Sequence, residues 1–282
     1  RIGSVQWTPD GAGISFLAKR NGDSHRSVYL LPVNGGEARR VAAHTKGSIS
    51  EYAWSPDGKR IAYLAMESKS KESKELAKQG FNQEVVEEQL RMKKAYLTAP
   101  ESYQSNVFAD EDLKAPEEAI EIDFGGSVSG ISWSPKGTHL FAFVAPTALI
   151  DDHYMQRKPT VVSVNAKGVS KTVAVFKTPG KVGQAVWSPD GNALALIAAG
   201  DLHDPSAGRI AILTIATQTL AYHLMEYEGQ VESIQWAKDG SIYYSCSEGN
   251  ETLIKKIKSD GSGNETLIPA GQFIFRGLSI DK

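Results

Sequence analysis

All five tryptophans of this 282-residue chain open copies of one short phrase, and that phrase divides the sequence into repeats. The copies are Trp7-Thr8-Pro9-Asp10-Gly11, Trp54-Ser55-Pro56-Asp57-Gly58, Trp133-Ser134-Pro135-Lys136-Gly137, Trp187-Ser188-Pro189-Asp190-Gly191 and Trp236-Ala237-Lys238-Asp239-Gly240. With 26 glycines in 282 residues, a Gly four places after every Trp has odds of about one in 10⁵ by chance. Self-similarity of this kind marks a repeat architecture. The spacings are 47, 79, 54 and 49 residues, close to the ~40–50 of a propeller blade apart from the second interval. The expectation is an all-β propeller.

Each part of the phrase has a mechanical role. Ser at turn position i, Pro at i+1 and Gly at i+3 suit a type I turn, and a trailing Gly takes the left-handed backbone of a hairpin bulge. Trp7, Trp54, Trp133, Trp187 and Trp236 then close a first strand, and Gly11, Gly58, Gly137, Gly191 and Gly240 release the chain into a second. We read these ten residues as structural, the tryptophans packing between blades. The second strands are short apolar runs: 14–18, 61–65, 140–144, 193–198 and 242–244. Runs of this kind imply strands covered on both faces, as in the middle of a blade. Third strands are expected at 28–33, 95–98, 160–164, 209–214 and 252–257, and more polar fourth strands at 38–42, 119–123, 172–175, 219–224 and 265–268.

The repeats fall at about 1–45, 46–125, 126–180, 181–228 and 229–270. Residues 271–282 read as the truncated start of a sixth, which suggests a piece of a longer polypeptide. The long interval holds an insertion, residues 67–93. Leu76, Phe81, Val85 and Leu90 recur there at roughly helical spacing, which predicts a short amphipathic helix within 72–92.

Composition excludes little, but it is useful. A hydrophobic content of 41% supports a substantial core. Near-balance between 31 basic and 33 acidic residues gives no reason to expect nucleic acid or an anionic membrane as partner. No apolar stretch approaches the ~18 residues that span a bilayer. Cys246 is alone, so no internal disulfide framework exists. The compartment, bacterial cytoplasm or periplasm, stays open.

The Trp-Ser-Pro-Asp-Gly phrase resembles the repeat of TolB-like propellers. The run Tyr29-Leu30-Leu31-Pro32-Val33-Asn34-Gly35-Gly36-Glu37-Ala38-Arg39-Arg40 is similar to one in the propellers of prolyl oligopeptidase-family serine peptidases, in their acylaminoacyl peptidase and dipeptidyl peptidase branches. Residues 84–96 resemble the second-blade region of such bacterial enzymes. The resemblance implies a non-catalytic propeller that gates access of short peptides to an α/β-hydrolase domain following it in sequence. The partners it implies are that hydrolase domain, absent from this chain, and a peptide substrate, with an oligomer left open. No cofactor is implied. The chain itself has no Gly-x-Ser-x-Gly nucleophile elbow; Gly130-Ile131-Ser132-Trp133-Ser134 lacks the second Gly. No catalytic residue is therefore nominated.

Two sets of binding candidates remain. His25, His153 and His203 fall in loops between second and third strands, with His44 between blades on the same expected face. Asp23, Asp151, Asp152, Asp201 and Asp204 accompany them. Imidazole and carboxylate are metal ligands, so this face is a candidate metal site, with solvated loops as the plainer reading. Glu87 and Glu88 in the insertion are candidates for holding a peptide's amino terminus, because the dipeptidyl peptidase branch uses paired propeller glutamates in that way. A solvated helix face is the alternative. Two other functions stay in view: a free-standing TolB-like protein-binding propeller, and a metal-dependent propeller lyase.

Overall fold

The repeated turn is a small hydrogen-bonded unit built around its Asp. In the second copy, Gly58 N donates to Ser55 O at 2.8 Å, and Ser55 N donates to Arg60 O at 2.8 Å. Asp57 Oδ1 accepts from Ser55 Oγ at 2.5 Å and from Lys59 N at 3.1 Å, while Arg60 N donates to Ser55 Oγ at 2.9 Å. The same set recurs around Asp10 with Thr8 and around Asp190 with Ser188. In the fifth copy Ala237 has no hydroxyl, and the loop is one residue tighter: Ala237 N donates to Ser241 O at 2.9 Å. Gly58 and Gly191 sit at φ +68° and +70°, which strains any residue with a Cβ. Pro and Gly also meet between successive turns. A Cβ on Gly137 would lie 3.4 Å from Pro56 Cδ, and one on Gly191 would lie 3.4 Å from Pro135 Cδ.

The computed structural model describes residues 2–20, 22–66, 68–83, 87, 90–100, 119–165, 168, 170–271 and 273–280. Among them the strands form five four-stranded antiparallel sheets, each a meander in chain order, and the fold is an all-β propeller. The first blade is β1 (Gly3–Trp7), β2 (Gly13–Ala18), β3 (Ser27–Pro32) and β4 (Arg39–Ala42). The second is β5 (Ile49–Trp54), β6 (Ile61–Met66), β7 (Lys93–Thr98) and β8 (Ile120–Ile122). The third is β9 (Ser127–Trp133), β10 (His139–Ala145), β11 (Lys158–Val164) and β12 (Ser170–Val175). The fourth is β13 (Val182–Trp187), β14 (Ala193–Ala199), β15 (Gly208–Thr214) and β16 (Thr219–His223). The fifth is β17 (Gln230–Trp236), β18 (Ser241–Glu248), β19 (Glu251–Lys258) and β20 (Glu265–Ile268). In each blade the Trp pairs with the opening of the second strand, as Trp54 does with Ile61 and Trp187 with Leu194. Every first strand carries a register shift a few residues before its Trp.

Two compact units make up the chain. The first comprises Arg1–Trp133, Gly137–His153 and Val162–Lys171, the second Ser134–Lys136, Tyr154–Val161 and Thr172–Lys282. Within the first, alternate residues of β6 face opposite ways. Ile61, Tyr63 and Ala65 pack with Leu17, Val28 and Val41 of the first blade. Ala62 and Leu64 pack with Val128, Ile131, Trp133 and Leu140 of the third. A strand buried on both faces is the physical content of the apolar runs read above. Within the second unit, Ile242, Tyr244 and Cys246 pack with Ala195, Ile210 and Ile212 in the same fashion.

Polar links accompany this packing. Trp54 Nε1 donates to Ser15 Oγ at 2.9 Å, and Trp133 Nε1 donates to Ala53 O at 3.2 Å, so each indole reaches back to the preceding blade. Arg60 donates to Gly137 O at 2.9 Å and Asn165 O at 3.2 Å while its guanidinium lies 4.6 Å from the centre of the Trp133 ring. Trp7 differs: it is 63% exposed.

Two expectations change. The insertion helix, α1, spans only Lys71–Lys78. Ser70 caps its start, and a Schellman motif ends it: Gly80 N donates to Ala77 O, Phe81 N donates to Leu76 O, and Gly80 sits at φ +96°. Gly80 therefore stops a helix that apolar spacing alone would have carried on to Met92. Residues 273–280 also form no strand. A first strand takes its ladder bonds from the second strand of its own blade, and none pairs with this segment among the described residues.

Candidate functional site

The loops between second and third strands carry most of the candidate polar residues, and several of their carboxylates are held by local partners. In the first blade, Asp23 is tucked into the 19–26 loop with its side chain 5% exposed. Its carboxylate accepts from Arg40 Nη1 at 2.6 Å, from Arg20 N at 3.2 Å, and from the Tyr29 hydroxyl in a short contact. Tyr29 and Arg40 are paired directly across β3 and β4, which brings both heads to one carboxylate. Burial, and then the hydrogen bond to Asp23, raise the Tyr29 hydroxyl well above its usual value. The Tyr and the final Arg of the 29–40 run are thus two arms of a clasp on Asp23. All three donors to Asp23 come from its own blade.

Beside the clasp lies an open groove of about 440 Å³, with Phe16, Ala18 and Leu31 among its apolar lining and Lys19, Arg20 and Glu37 on its rim. Arg20 is 3.8 Å from Glu37, and its guanidinium sits 5.5 Å from the Tyr29 ring centre.

The other loops follow suit. In the third blade, Asp152 accepts from Thr147 Oγ1 at 2.6 Å, and His153 N donates to Leu149 O at 3.0 Å, closing a turn that leads into the helical Asp152–Gln156. Asp151 is exposed beside them. In the fourth blade, Asp201 accepts from His203 N at 2.9 Å, which lowers its carboxyl below the ordinary range. The His203 ring lies 3.5 Å from the same carboxylate with its side chain 90% exposed, and Asp204 pairs with Lys181 at 2.7 Å. His25 is half-buried. His44 is buried against two tyrosines, its ring 4.5 Å from that of Tyr96 and 5.9 Å from that of Tyr63. Among the described residues no three His, Cys, Asp or Glu side chains come together as a metal site requires.

Glu87 is exposed and holds φ +63°. Glu88 lies outside the described residues, so the geometry of the pair is not defined. A third carboxylate, which composition does not single out, has a clearer task. Glu51 on β5 accepts from Gly130 N of the third blade at 2.8 Å and from Lys93 Nζ at 3.2 Å. Gln184 does the equivalent in the second unit, accepting from Ile234 N at 2.9 Å. Both stand three residues before their Trp, and both join the first strands of adjacent blades. The chemistry these arrangements support is positioning and binding.

A further set of structural residues has the same periodicity as the tryptophans. Gly47, Gly126, Gly180 and Gly229 each stand seven residues before a Trp. A Cβ there would lie 2.0 to 2.4 Å from a carbonyl oxygen near the end of the second strand, that of Met66, Ala145, Asp201 or Ser247. The spacing was present in the sequence; only the close backbone approach shows why Gly is needed.

No family model matches the chain. A stretch of 56 residues, 20% of the chain, is 39% identical to the uncharacterized peptidase YuxL of Bacillus subtilis (strain 168), and it spans 8% of that protein. Among solved structures, the acylaminoacyl peptidase of Pyrococcus horikoshii matches 96% of this chain and 39% of its own, with TM-score 0.60 and 13% identity. A putative TolB from Agrobacterium tumefaciens matches 98% of this chain and 84% of its own, with TM-score 0.57 and 13% identity. At such identities the likeness to these two is one of fold. The chain spans well under half of either peptidase.

Proposed function

We propose that this chain is the propeller of a serine peptidase of the prolyl oligopeptidase family, gating access of short peptides to an α/β-hydrolase domain encoded downstream of it. The observation that carries the reading is the 56-residue match to a peptidase at 39% identity. The peptidase-like 29–40 run adds to it, as does the likeness of fold to an acylaminoacyl peptidase. In this role the propeller does no chemistry. It holds a rigid wall beside the active site, so that a substrate is selected by whether it can reach the nucleophile. Rigidity is what the links between blades supply, through Ser15, Glu51, Arg60 and Gln184.

A second reading has the TolB likeness behind it, which covers 84% of that structure. On that reading the chain belongs to a free-standing propeller that binds a protein partner. Reading the gene past codon 282 and labelling its full product with a fluorophosphonate separates the two. A downstream Gly-x-Ser-x-Gly with later Asp and His, labelled in the full product and unlabelled in residues 1–282 alone, is expected. A stop codon after one or two further blades, with no labelling, overturns the peptidase reading in favour of the binding propeller.

A further inference from the structure

Six turns among the described residues carry an Asn-Gly or Asp-Gly pair, and one is held differently from the rest. Asp10-Gly11, Asp57-Gly58, Asp190-Gly191, Asp239-Gly240 and Asp260-Gly261 have carboxylates fixed in place. Each accepts from the backbone N–H two residues on, at 2.9 to 3.1 Å. At Asp10, Asp57, Asp190 and Asp260 a Ser or Thr hydroxyl donates to the same oxygen. The glycine nitrogens of these turns donate to the carbonyl three residues back at 2.8 to 3.1 Å.

The sixth pair, Asn34-Gly35, sits in the turn between β3 and β4. Asn34, Gly35 and Gly36 are all exposed, and no hydrogen bond holds the Asn34 side chain among the described residues. Gly35 N donates to Pro32 O at 3.3 Å, longer than in any of the other five turns and past the usual range for such a bond. Gly35 and Gly36 take φ +93° and +111°, and a Cβ on either would meet nothing within 4 Å. The two glycines leave the backbone room to bring Gly35 N onto the Asn34 side chain, with no Cβ on the attacking residue to block the approach.

We propose that Asn34 is a site of spontaneous deamidation in the folded protein, which puts an isoaspartyl linkage into the turn joining the two arms of the Asp23 clasp. Gly35 N attacks Asn34 Cγ, and the new N–Cγ bond closes a succinimide ring. The Cγ–Nδ2 bond breaks, and Nδ2 leaves as ammonia with the proton that Gly35 N loses. Water then opens the ring. Attack at Cγ leaves Asp, and attack at the backbone carbonyl leaves isoaspartate, in which the chain runs through Cβ. Water is the one co-reactant, and nothing is oxidised or reduced. The Asp-Gly pairs resist the same closure, because their carboxylates are pinned one residue beyond the nitrogen they would have to meet. Hydroxyl and backbone donors also hold Asp10, Asp57, Asp190 and Asp260 below the ordinary carboxyl range, and an ionised carboxylate is a poor electrophile. The β3–β4 ladder includes Leu30 with Arg39 and Tyr29 with Arg40, all outside the turn, so the clasp survives the change. The chemistry is independent of what the parent protein does.

The test ages the 282-residue chain in mildly alkaline buffer without denaturant, beside a synthetic peptide of residues 27–39. Trypsin cuts after Arg26 and Arg39, so Asn34 is read apart from the other Asn-Gly pair, Asn21-Gly22, whose Asn lies outside the described residues. Mass spectrometry follows the gain of about one mass unit in 27–39, and electron-transfer fragmentation separates isoaspartate from Asp at every pair. Exposed loop tips open at almost no free-energy cost, so Asn34 in the native chain is expected to convert within about tenfold of the peptide's rate, and about tenfold or more faster than any Asp-Gly pair. Asn34→Gln should remove the converted form and leave the urea midpoint unchanged. Asn34 intact in the native chain while the peptide converts, equal conversion at the Asp-Gly pairs, or a converted form of 27–39 that persists in Asn34→Gln would each overturn the proposal.

Discussion

Ser15→Ala removes one buried oxygen and tests whether the first two blades are joined by specific polar contacts as well as by apolar burial. Ser15 is fully buried on β2, and its Oγ is the meeting point of both blades. It lies 2.9 Å from both the Tyr52 hydroxyl and Trp54 Nε1, and it donates to Gln6 O at 3.2 Å. Tyr52 keeps a second partner after the substitution, because its hydroxyl also reaches Ser4 O at 2.8 Å. Trp54 Nε1–H keeps none of the acceptors described here. An orphaned buried donor costs about 1–3 kcal/mol. Trp54 is only half-buried, so water recovers part of that loss, and the weak bond to Gln6 O adds little. The expected loss is therefore about 1.5 kcal/mol. Urea unfolding followed by tryptophan fluorescence measures it, with the slope unchanged if only the native state is affected. A double-mutant cycle with Trp54→Phe isolates the pair, and a coupling of about 1 kcal/mol is expected. A Ser15→Ala variant within about 0.3 kcal/mol of the parent, or a cycle that is additive, would refute the reasoning.

Three further outcomes follow from the geometry. Gly180→Ala puts a methyl 2.0 Å from Asp201 O and should cost more than about 3 kcal/mol, whereas Gly11→Ala meets nothing within 4 Å and should cost only the ~1–2 kcal/mol of a left-handed backbone; urea midpoints of the two variants compare them. The turn carboxylates of Asp10, Asp57 and Asp190 are held low chiefly by the hydroxyls of Thr8, Ser55 and Ser188. Such groups bind fewer protons folded than unfolded, so their contribution to stability should be full above about pH 5 and be lost as pH drops through their lowered values; a melting temperature that rises on acidification below that pH contradicts this. Cys246 is fully buried and its thiol is pushed up by burial, so an aromatic disulfide reagent should label it only as fast as the protein unfolds, and prompt stoichiometric labelling of the native chain contradicts its placement.

The legible parts of this fold were those in which sequence and backbone share a short period. The Trp-to-Gly phrase announced every turn, and apolar runs located each second strand, because burial on both faces leaves no room for polar residues. Strand ends such as Ser27 and Lys93 fell a residue or two outside the runs, where the ladder continues past the apolar stretch. Gly80 was as visible as Leu76, yet apolar spacing outweighed it, and the helix is correspondingly shorter. The glycines seven places before Trp were visible too, but their reason is a tertiary approach of two backbones. The candidate site was less legible for a related reason. His25, Asp23, His153 and His203 share a class of loop, but a topological class does not fix where side chains point. Local hydrogen bonds had already claimed Asp23, Asp152 and Asp201. Glu51 and Gln184, which span blades, carry no motif beyond their distance from Trp.

The central claim, that this propeller restricts what a peptidase can reach, is tested most directly by substrate size in the full gene product. One scissile sequence is offered twice, as a short fluorogenic peptide and within an exposed loop of a folded carrier protein. The account predicts that the short peptide is hydrolysed and the carrier is left intact, although an unhindered serine peptidase such as trypsin cleaves both. Equal cleavage of peptide and carrier, or no peptide hydrolysis at all, would contradict it.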